Sequence, residues 1–173
     1  MAENFRHELK FTINAGDVLT LCSRLSACMA RDCHNGGTYA IRSLYFDNLY
    51  DKALNEKLDG VDGREKFRIR CYNGEDALIR MEKKMKQNGL CRKLQAELSR
   101  AEAERMRDAA ERPLLQEFYC KQRSELLCPK TLVDYQRRAF VEPLGNVRVT
   151  LDTGIRSGVY NRDFFDPAAP TLA

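Results

Sequence analysis

A strand pattern with cations on one face and apolar residues on the other constrains the fold more than any other feature of the sequence. In the segment Lys66-Phe67-Arg68-Ile69-Arg70 the two residue types alternate with a period of two. Successive side chains of a β-strand point to opposite faces, so the three cations share one face. Neighbours on that face lie about 7 Å apart and repel each other by about 2 kcal/mol per pair at an effective dielectric of about 20. Either water and salt screen this face, or an anion lies against it.

Almost every predicted strand repeats the one-sided pattern, with an occasional carboxylate among the cations. The polar faces comprise Arg6, Glu8 and Lys10; Arg80, Glu82, Lys84 and Lys86; Tyr135 and Arg137; and Arg148, Thr150 and Asp152. A solvated sheet face explains one such strand well, but the recurrence favours a sheet that closes with its charged faces inward. A lumen of Lys and Arg suits a chain of phosphates, which Arg binds as a planar fork and Lys as a point charge.

Turn and capping signals predict an α+β fold with mostly antiparallel pairing. The predicted strands are 5–13, 39–46, 66–72, 77–86, 90–98, 132–141 and 147–155. Four helices are predicted. The first begins at Asn14, a short one lies within 47–62, the third begins at Ser99 and ends before Pro113, and the fourth runs from Leu114 to Leu127. Because short turns such as Asn88-Gly89 join successive strands, we expect a meander that closes into an antiparallel β-barrel with flanking helices.

The composition is that of one globular domain covering residues 1–173. Hydrophobic residues make up 43% and charged residues 31% of the chain, which excludes a disordered or membrane-embedded class. No apolar run approaches the roughly 20 residues of a transmembrane helix. The first residues lead straight into a patterned segment without a signal peptide, so we expect a cytoplasmic protein. The net charge of +4 does not by itself identify a partner.

The cysteines are typical of reduced cytosolic thiols. There are seven, an odd number, and no two have CxxC spacing. A zinc site at Cys28, Cys33 and His34 is the less favoured alternative, because zinc usually has a tighter pair and two further ligands.

Three carboxylates on the charged faces, Glu8, Glu82 and Asp152, allow two interpretations. They pair with neighbouring Lys and Arg side chains, or they hold a divalent metal, which prefers carboxylate and phosphate oxygens.

Six motifs in order resemble one known family. They are Arg6-x-Glu8-x-Lys10-Phe11, Ser43-Leu44-Tyr45-Phe46-Asp47, Lys66-x-Arg68-x-Arg70, Glu82-x-Lys84, Tyr135-x-Arg137-x-Ala139-Phe140 and Arg148-x-Thr150-Leu151-Asp152. Together they resemble the VTC-type polyphosphate polymerase domain of the CYTH, or triphosphate tunnel metalloenzyme, superfamily, and the resemblance covers residues 5–156. The first Glu of the Glu-x-Glu-x-Lys motif of the CYTH branch proper is replaced by Arg6. This points away from thiamine triphosphatases and class IV adenylate cyclases and toward the VTC branch.

The resemblance implies a tunnel in which the terminal phosphoryl group of ATP is transferred to a growing polyphosphate chain with Mn²⁺ or Mg²⁺. The residues it assigns to phosphate binding are Lys10, Arg68, Arg70, Lys84, Arg137 and Arg148, with Tyr135 lining the site. Lys66 and Lys93 join them by position, and Glu8, Glu82 and Asp152 are the metal candidates. The family's last strand, which carries a Glu and a nearby Lys, would begin where the sequence stops at Ala173. We therefore expect either a sequence that is truncated at its C-terminus or a barrel that lacks its last strand.

Two other functions fit the same tunnel. A non-catalytic module would sense polyphosphate or an inositol polyphosphate, and an inorganic triphosphatase would use water as the acceptor. The missing terminal Glu favours binding, whereas the motif order favours the polymerase. Nucleic acid is not an expected partner, because its binding sites usually expose aromatic residues for stacking, and here the aromatic residues largely alternate onto the opposite face.

Overall fold

The computed structural model describes residues 5–32, 37–105 and 112–173, which build an antiparallel sheet flanked by helices. The helices are α1 (Ala15–Cys28), α2 (Lys52–Leu58), α3 (Arg100–Arg105) and α4 (Pro113–Ser124). The strands are β1 (Ala30–Arg31), β2 (Thr38–Asp47), β3 (Arg64–Tyr72), β4 (Glu75–Gln87), β5 (Leu90–Leu98), β6 (Cys128–Glu142) and β7 (Val147–Val159).

The strands follow the order β5–β4–β3–β2–β6–β7, and β1 pairs with the end of β6. Two tight hairpins form at Asn73-Gly74 and Asn88-Gly89, where both residues of each pair have positive φ angles of 51° to 74°. Asn and Gly are the residues that tolerate this backbone in two-residue hairpin turns. Over the described ranges β5 and β7 are not paired with each other, and the curled antiparallel sheet is a half-barrel.

The apolar face of the sheet packs against the helices. Phe67, Ile69 and Met81 are nearly inaccessible to solvent and belong to a core that includes residues of α3 and α4. Phe118 of α4 lies at its centre, with ring centroids 4.9 Å from Phe46 and 5.4 Å from Phe67. Because strand side chains alternate, the opposite face carries the Lys and Arg side chains. We call it the inner face.

The predicted strand 5–13 is wrong. Only Arg6 pairs, exchanging backbone hydrogen bonds of 3.0 and 2.8 Å with Cys91 of β5. Leu9 and Phe11 are 79% and 81% exposed. Alternation specifies which side chains share a face, but a strand also needs a continuous backbone partner, and this segment meets β5 at one residue.

Most other boundaries are close to those predicted. Asn14 caps α1, and Asp17 completes a capping box with it. The helix predicted to begin at Ser99 is observed as α3, and residues 106–111, which the prediction also covered, lie outside the described residues. Residues 35 and 36 of the predicted turn at 35–37 also lie outside the described residues. No helix in the described ranges combines the length and apolarity needed to cross a bilayer.

Candidate functional site

The strand register brings cations from neighbouring strands together on the inner face. Arg68 lies opposite Tyr45 of β2 on one side and Glu82 of β4 on the other, and Lys84 lies opposite Lys93 of β5. Directly opposite residues have Cβ atoms about 5 Å apart, close enough for their side chains to touch. The inner face is therefore a continuous basic surface.

Glu82 lies at the centre of this surface, and its side chain is 1% exposed. Its Oε2 atom is 2.6 Å from Nη2 of Arg68 and 3.8 Å from Nη1 of Arg70, and its Oε1 atom is 3.3 Å from Nζ of Lys93. Burial alone would raise the pKa of Glu82, but the charges of Arg68, Arg70 and Lys93 lower it to about 2. Glu82 is therefore ionised, and both of its oxygens are occupied. We call these four residues the Glu82 centre.

Hydroxyl groups hold the two arginines of the Glu82 centre from the other side. Arg68 donates to the Tyr45 hydroxyl at 2.6 Å, and its guanidinium lies 5.5 Å from the centre of the Tyr45 ring. Arg70 donates to the hydroxyls of Ser43 at 3.1 Å and Tyr135 at 3.0 Å. Sequence reasoning placed Tyr135 here but missed Ser43 and Tyr45. The signal was present, because both fall on the polar side of the alternation in the Ser43-Leu44-Tyr45 motif.

A second group of lysines lies beside the Glu82 centre. Lys84 forms an ion pair with Glu8, a residue of the N-terminal segment that pairs with β5 only at Arg6. Burial lowers the pKa of Lys66 to about 8, and the charges of Lys10, Lys84 and Arg68 add to this effect. Burial would raise the pKa of Glu8, but its hydrogen bond with Lys84 and the charges of Lys84 and Lys10 lower it to about 2. Positive charge thus exceeds negative charge around Lys66.

Arg137 and Asp152 form a separate ion pair across β6 and β7. Nε and Nη2 of Arg137 donate to the two oxygens of Asp152 at 2.6 and 2.7 Å, a bidentate fork. The same guanidinium lies 5.2 Å from the centre of the Tyr135 ring, which joins this pair to Arg70.

Arg148 is the predicted phosphate residue least connected to the others. Its guanidinium lies 2.6 Å from Asp32 and 3.3 Å from the Tyr39 hydroxyl, and its side chain is 44% exposed. The structure thus brings together Lys66, Arg68, Arg70, Lys84, Lys93 and Tyr135, with Lys10 close enough to affect the pKa of Lys66, and it places Arg137 beside them. Their role in phosphate binding stays a prediction.

The three candidate metal ligands do not form a common site. Glu8 contacts Lys84, Glu82 contacts Arg68 and Lys93, and Asp152 contacts Arg137. The described residues contain no group of three or more His, Cys, Asp or Glu that could hold a metal. The carboxylates of the described ranges therefore do not fit a metal held by the protein alone. Two residues of the alternative zinc site, Cys33 and His34, lie outside the described residues.

A comparison with protein families identifies the family to which this chain belongs. The family model of the VTC domain matches residues 5–167, nearly the whole chain. This chain belongs to the VTC domain family. Members of the VTC and CYTH families generally depend on a metal.

A solved structure supports the fold of this VTC domain. The crystal structure of a "putative adenylate cyclase" from Bacillus halodurans is similar to it, with a TM-score of 0.58 and 16% sequence identity over 90% of this chain and 73% of that chain. At this identity the likeness establishes the CYTH-like fold alone. The comparison with curated proteins gave no match.

Proposed function

We propose that this VTC domain binds triphosphate and polyphosphate on its inner face and transfers the terminal phosphoryl group of ATP to a growing polyphosphate chain. The observation that carries the proposal is the convergence of Lys66, Arg68, Arg70, Lys84 and Lys93 from three adjacent strands onto one face. Family membership supports the same conclusion. A polyanion is the ligand that relieves repulsion among so many cations.

The described side chains supply positioning and charge for this reaction. Arg68 and Arg70 are already held by Glu82 and by hydroxyl groups, so little side-chain freedom is lost when a phosphate binds. Lys66, whose pKa is lowered to about 8, gains most from a bound anion. Phosphoryl transfer depends mainly on such positioning and on neutralisation of the charge of the phosphates.

A divalent metal, Mn²⁺ or Mg²⁺, belongs to the proposal as an ion that arrives bound to the triphosphate. Such hard cations are commonly held by substrate phosphates together with one or two carboxylates. This would reconcile the metal dependence of the family with a domain whose three candidate carboxylates, Glu8, Glu82 and Asp152, are each paired with a cation.

The test of the proposal is to incubate the chain with ATP, Mn²⁺ and a short polyphosphate primer and to separate the products on a gel. We expect longer polyphosphate and one ADP for each phosphoryl group added to the chain. Each transfer breaks the bond between the γ-phosphorus of ATP and the ADP oxygen and forms one bond to the primer. Release of inorganic phosphate without elongation would instead identify a triphosphatase.

A non-catalytic binding module is the second candidate. The observation that favours it is the engagement of Glu8, Glu82 and Asp152 by cations, with no metal-holding group in the described part of the chain. Calorimetry separates the two candidates: a binding module takes up tripolyphosphate or an inositol polyphosphate without any turnover of ATP.

A cytoplasmic location is also part of the proposal. The described cysteines, Cys22, Cys28, Cys71, Cys91, Cys120 and Cys128, are all free thiols. Free thiols are typical of the reducing cytosol, where ATP is also available.

A further inference from the structure

We propose that Glu82 is a positioning residue that fixes Arg68, Arg70 and Lys93 for the phosphate chain and that it takes no part in metal binding. The ligand in this inference, a phosphate chain, rests on the proposed function. The contacts of Glu82 with Arg68, Arg70 and Lys93 do not depend on that function. The fixed arginines would then present their remaining N–H groups to phosphate oxygens in a constant arrangement.

Both oxygens of the Glu82 carboxylate are already occupied. Oε2 of Glu82 accepts from Nε of Arg68 at 2.8 Å and lies 2.6 Å from Nη2 of the same guanidinium. Oε1 accepts from Lys93 at 3.3 Å. A divalent ion bound at 2.0 to 2.6 Å, roughly the usual range for metal–oxygen bonds, would have to displace one of these donors. It would also lie beside three positive charges.

Glu82 is also far less exposed than the other two candidate carboxylates. The Glu82 side chain is 1% exposed, whereas those of Glu8 and Asp152 are 28% and 31% exposed. A ligand in the channel can reach and displace the two exposed carboxylates. It cannot displace Glu82 without leaving that carboxylate unpaired in a buried position, where an unpaired charge is strongly disfavoured.

A positioning role and a simple charge effect differ in what the removal of Glu82 does to anion binding. If Glu82 were only a negative charge near the ligand, its removal would strengthen the binding of an anion. If it holds the guanidiniums in place, its removal weakens binding although the face becomes more positive. The two roles predict opposite signs.

The experiment compares Glu82→Gln with Glu97→Gln. Glu97 of β5 also lies on the inner face, pairs with Arg80 at 3.6 Å and is 70% exposed, so its replacement is a matched removal of one charge. Tripolyphosphate binding is measured by calorimetry in EDTA, on protein whose fold has been checked by circular dichroism. We expect Glu82→Gln to weaken binding by about tenfold or more, which corresponds to ~1.4 kcal/mol, and Glu97→Gln to leave it unchanged or slightly tighter.

Two results would overturn the inference. One is binding by Glu82→Gln that equals or exceeds that of the wild type. The other is a rise in the wild-type melting temperature with Mn²⁺ alone, in the absence of phosphate, that disappears in Glu82→Gln. If Glu82→Gln does not fold, Glu82→Asp takes its place, since it keeps the charge but not the reach, and weaker binding is again expected.

A ligand-free measurement separates this inference from the proposed function. In wild-type protein the Arg68 Nε–H signal in ¹⁵N NMR should be protected from exchange with solvent, and the protection should be lost in Glu82→Gln but not in Glu97→Gln. If wild-type protein does not bind tripolyphosphate, the proposed function fails. Absence of Arg68 protection in the wild type would instead contradict the role of Glu82 itself.

Discussion

The Glu82 centre and the Arg137–Asp152 pair are built from the same residue types on the same face but differ in burial. Glu82 is 1% exposed and contacts cations from two strands, whereas Asp152 is 31% exposed and forms one fork with Arg137. A carboxylate removed from a buried pair leaves uncompensated charge, at a cost of about 3–5 kcal/mol, whereas an exposed pair contributes about 0–1 kcal/mol. The inner face therefore has a fixed part, the Glu82 centre, and an exchangeable part, the Arg137–Asp152 pair.

The largest expected effect tests the fixed part directly. Replacing both Arg68 and Arg70 by Ala should weaken tripolyphosphate binding by at least about a hundredfold, since charge-assisted hydrogen bonds contribute ~1.5–3 kcal/mol each. Calorimetry at low salt measures this, and wild-type affinity should itself fall as salt is added. The control is Lys57→Ala with Arg123→Ala, which removes two exposed helix cations. An equal loss in the control would show that only net charge matters.

The next effect is the dependence of stability on pH. The pKa of Glu82 is lowered from 4.5 to about 2 in the folded protein, a shift worth about 3 kcal/mol. This stability is fully present above about pH 5 and is lost as the pH falls toward 2. Urea unfolding at pH 7 and pH 3 should therefore show a smaller acid-dependent loss for Glu82→Gln than for the wild type. An unchanged pH dependence would mean that Glu82 is not ion-paired in solution.

A smaller effect concerns the lysines beside the Glu82 centre. Because the pKa of Lys66 is lowered to about 8, a bound polyanion should raise it, and binding above pH 8 should be accompanied by proton uptake. Calorimetry in buffers of different ionisation enthalpy measures that uptake. Lys66→Arg remains charged and should take up fewer protons. Protons bound by the ligand contribute equally to both proteins, so the difference between the two uptakes reports Lys66. Equal uptake by both proteins would contradict the assignment.

The smallest effect is expected at the exchangeable pair. Asp152→Asn should change the free energy of unfolding by less than about 1 kcal/mol, because the pair is partly exposed. It should also tighten tripolyphosphate binding slightly, since Arg137 no longer has to leave a carboxylate. Urea denaturation and calorimetry at neutral pH measure both quantities. A loss of stability as large as that of Glu82→Gln would remove the distinction between the two regions.

Much of the fold and of the candidate site follows from local sequence patterns. The alternation in Lys66–Arg70 assigned Phe67 and Ile69 to the core correctly, and the two Asn-Gly pairs marked both hairpins. The same rule failed at 5–13, because no local pattern tells whether a backbone partner is present. Lys83 shows the converse: it lies on the apolar face of β4 and is tolerated there because Glu65 and Glu117 pair with it.

The sequence by itself determined which side chains share a face, since alternation is a local property of the strand backbone. It therefore placed Arg68 and Arg70 on one face of their strand and Phe67 on the other. Only the tertiary structure decided which residues of different strands meet, because pairing depends on the register between segments far apart in the chain. That register surrounds Glu82 with Arg68, Arg70 and Lys93 and leaves Arg148 with Asp32. Burial, and with it the difference between a fixed and an exchangeable carboxylate, follows from that arrangement.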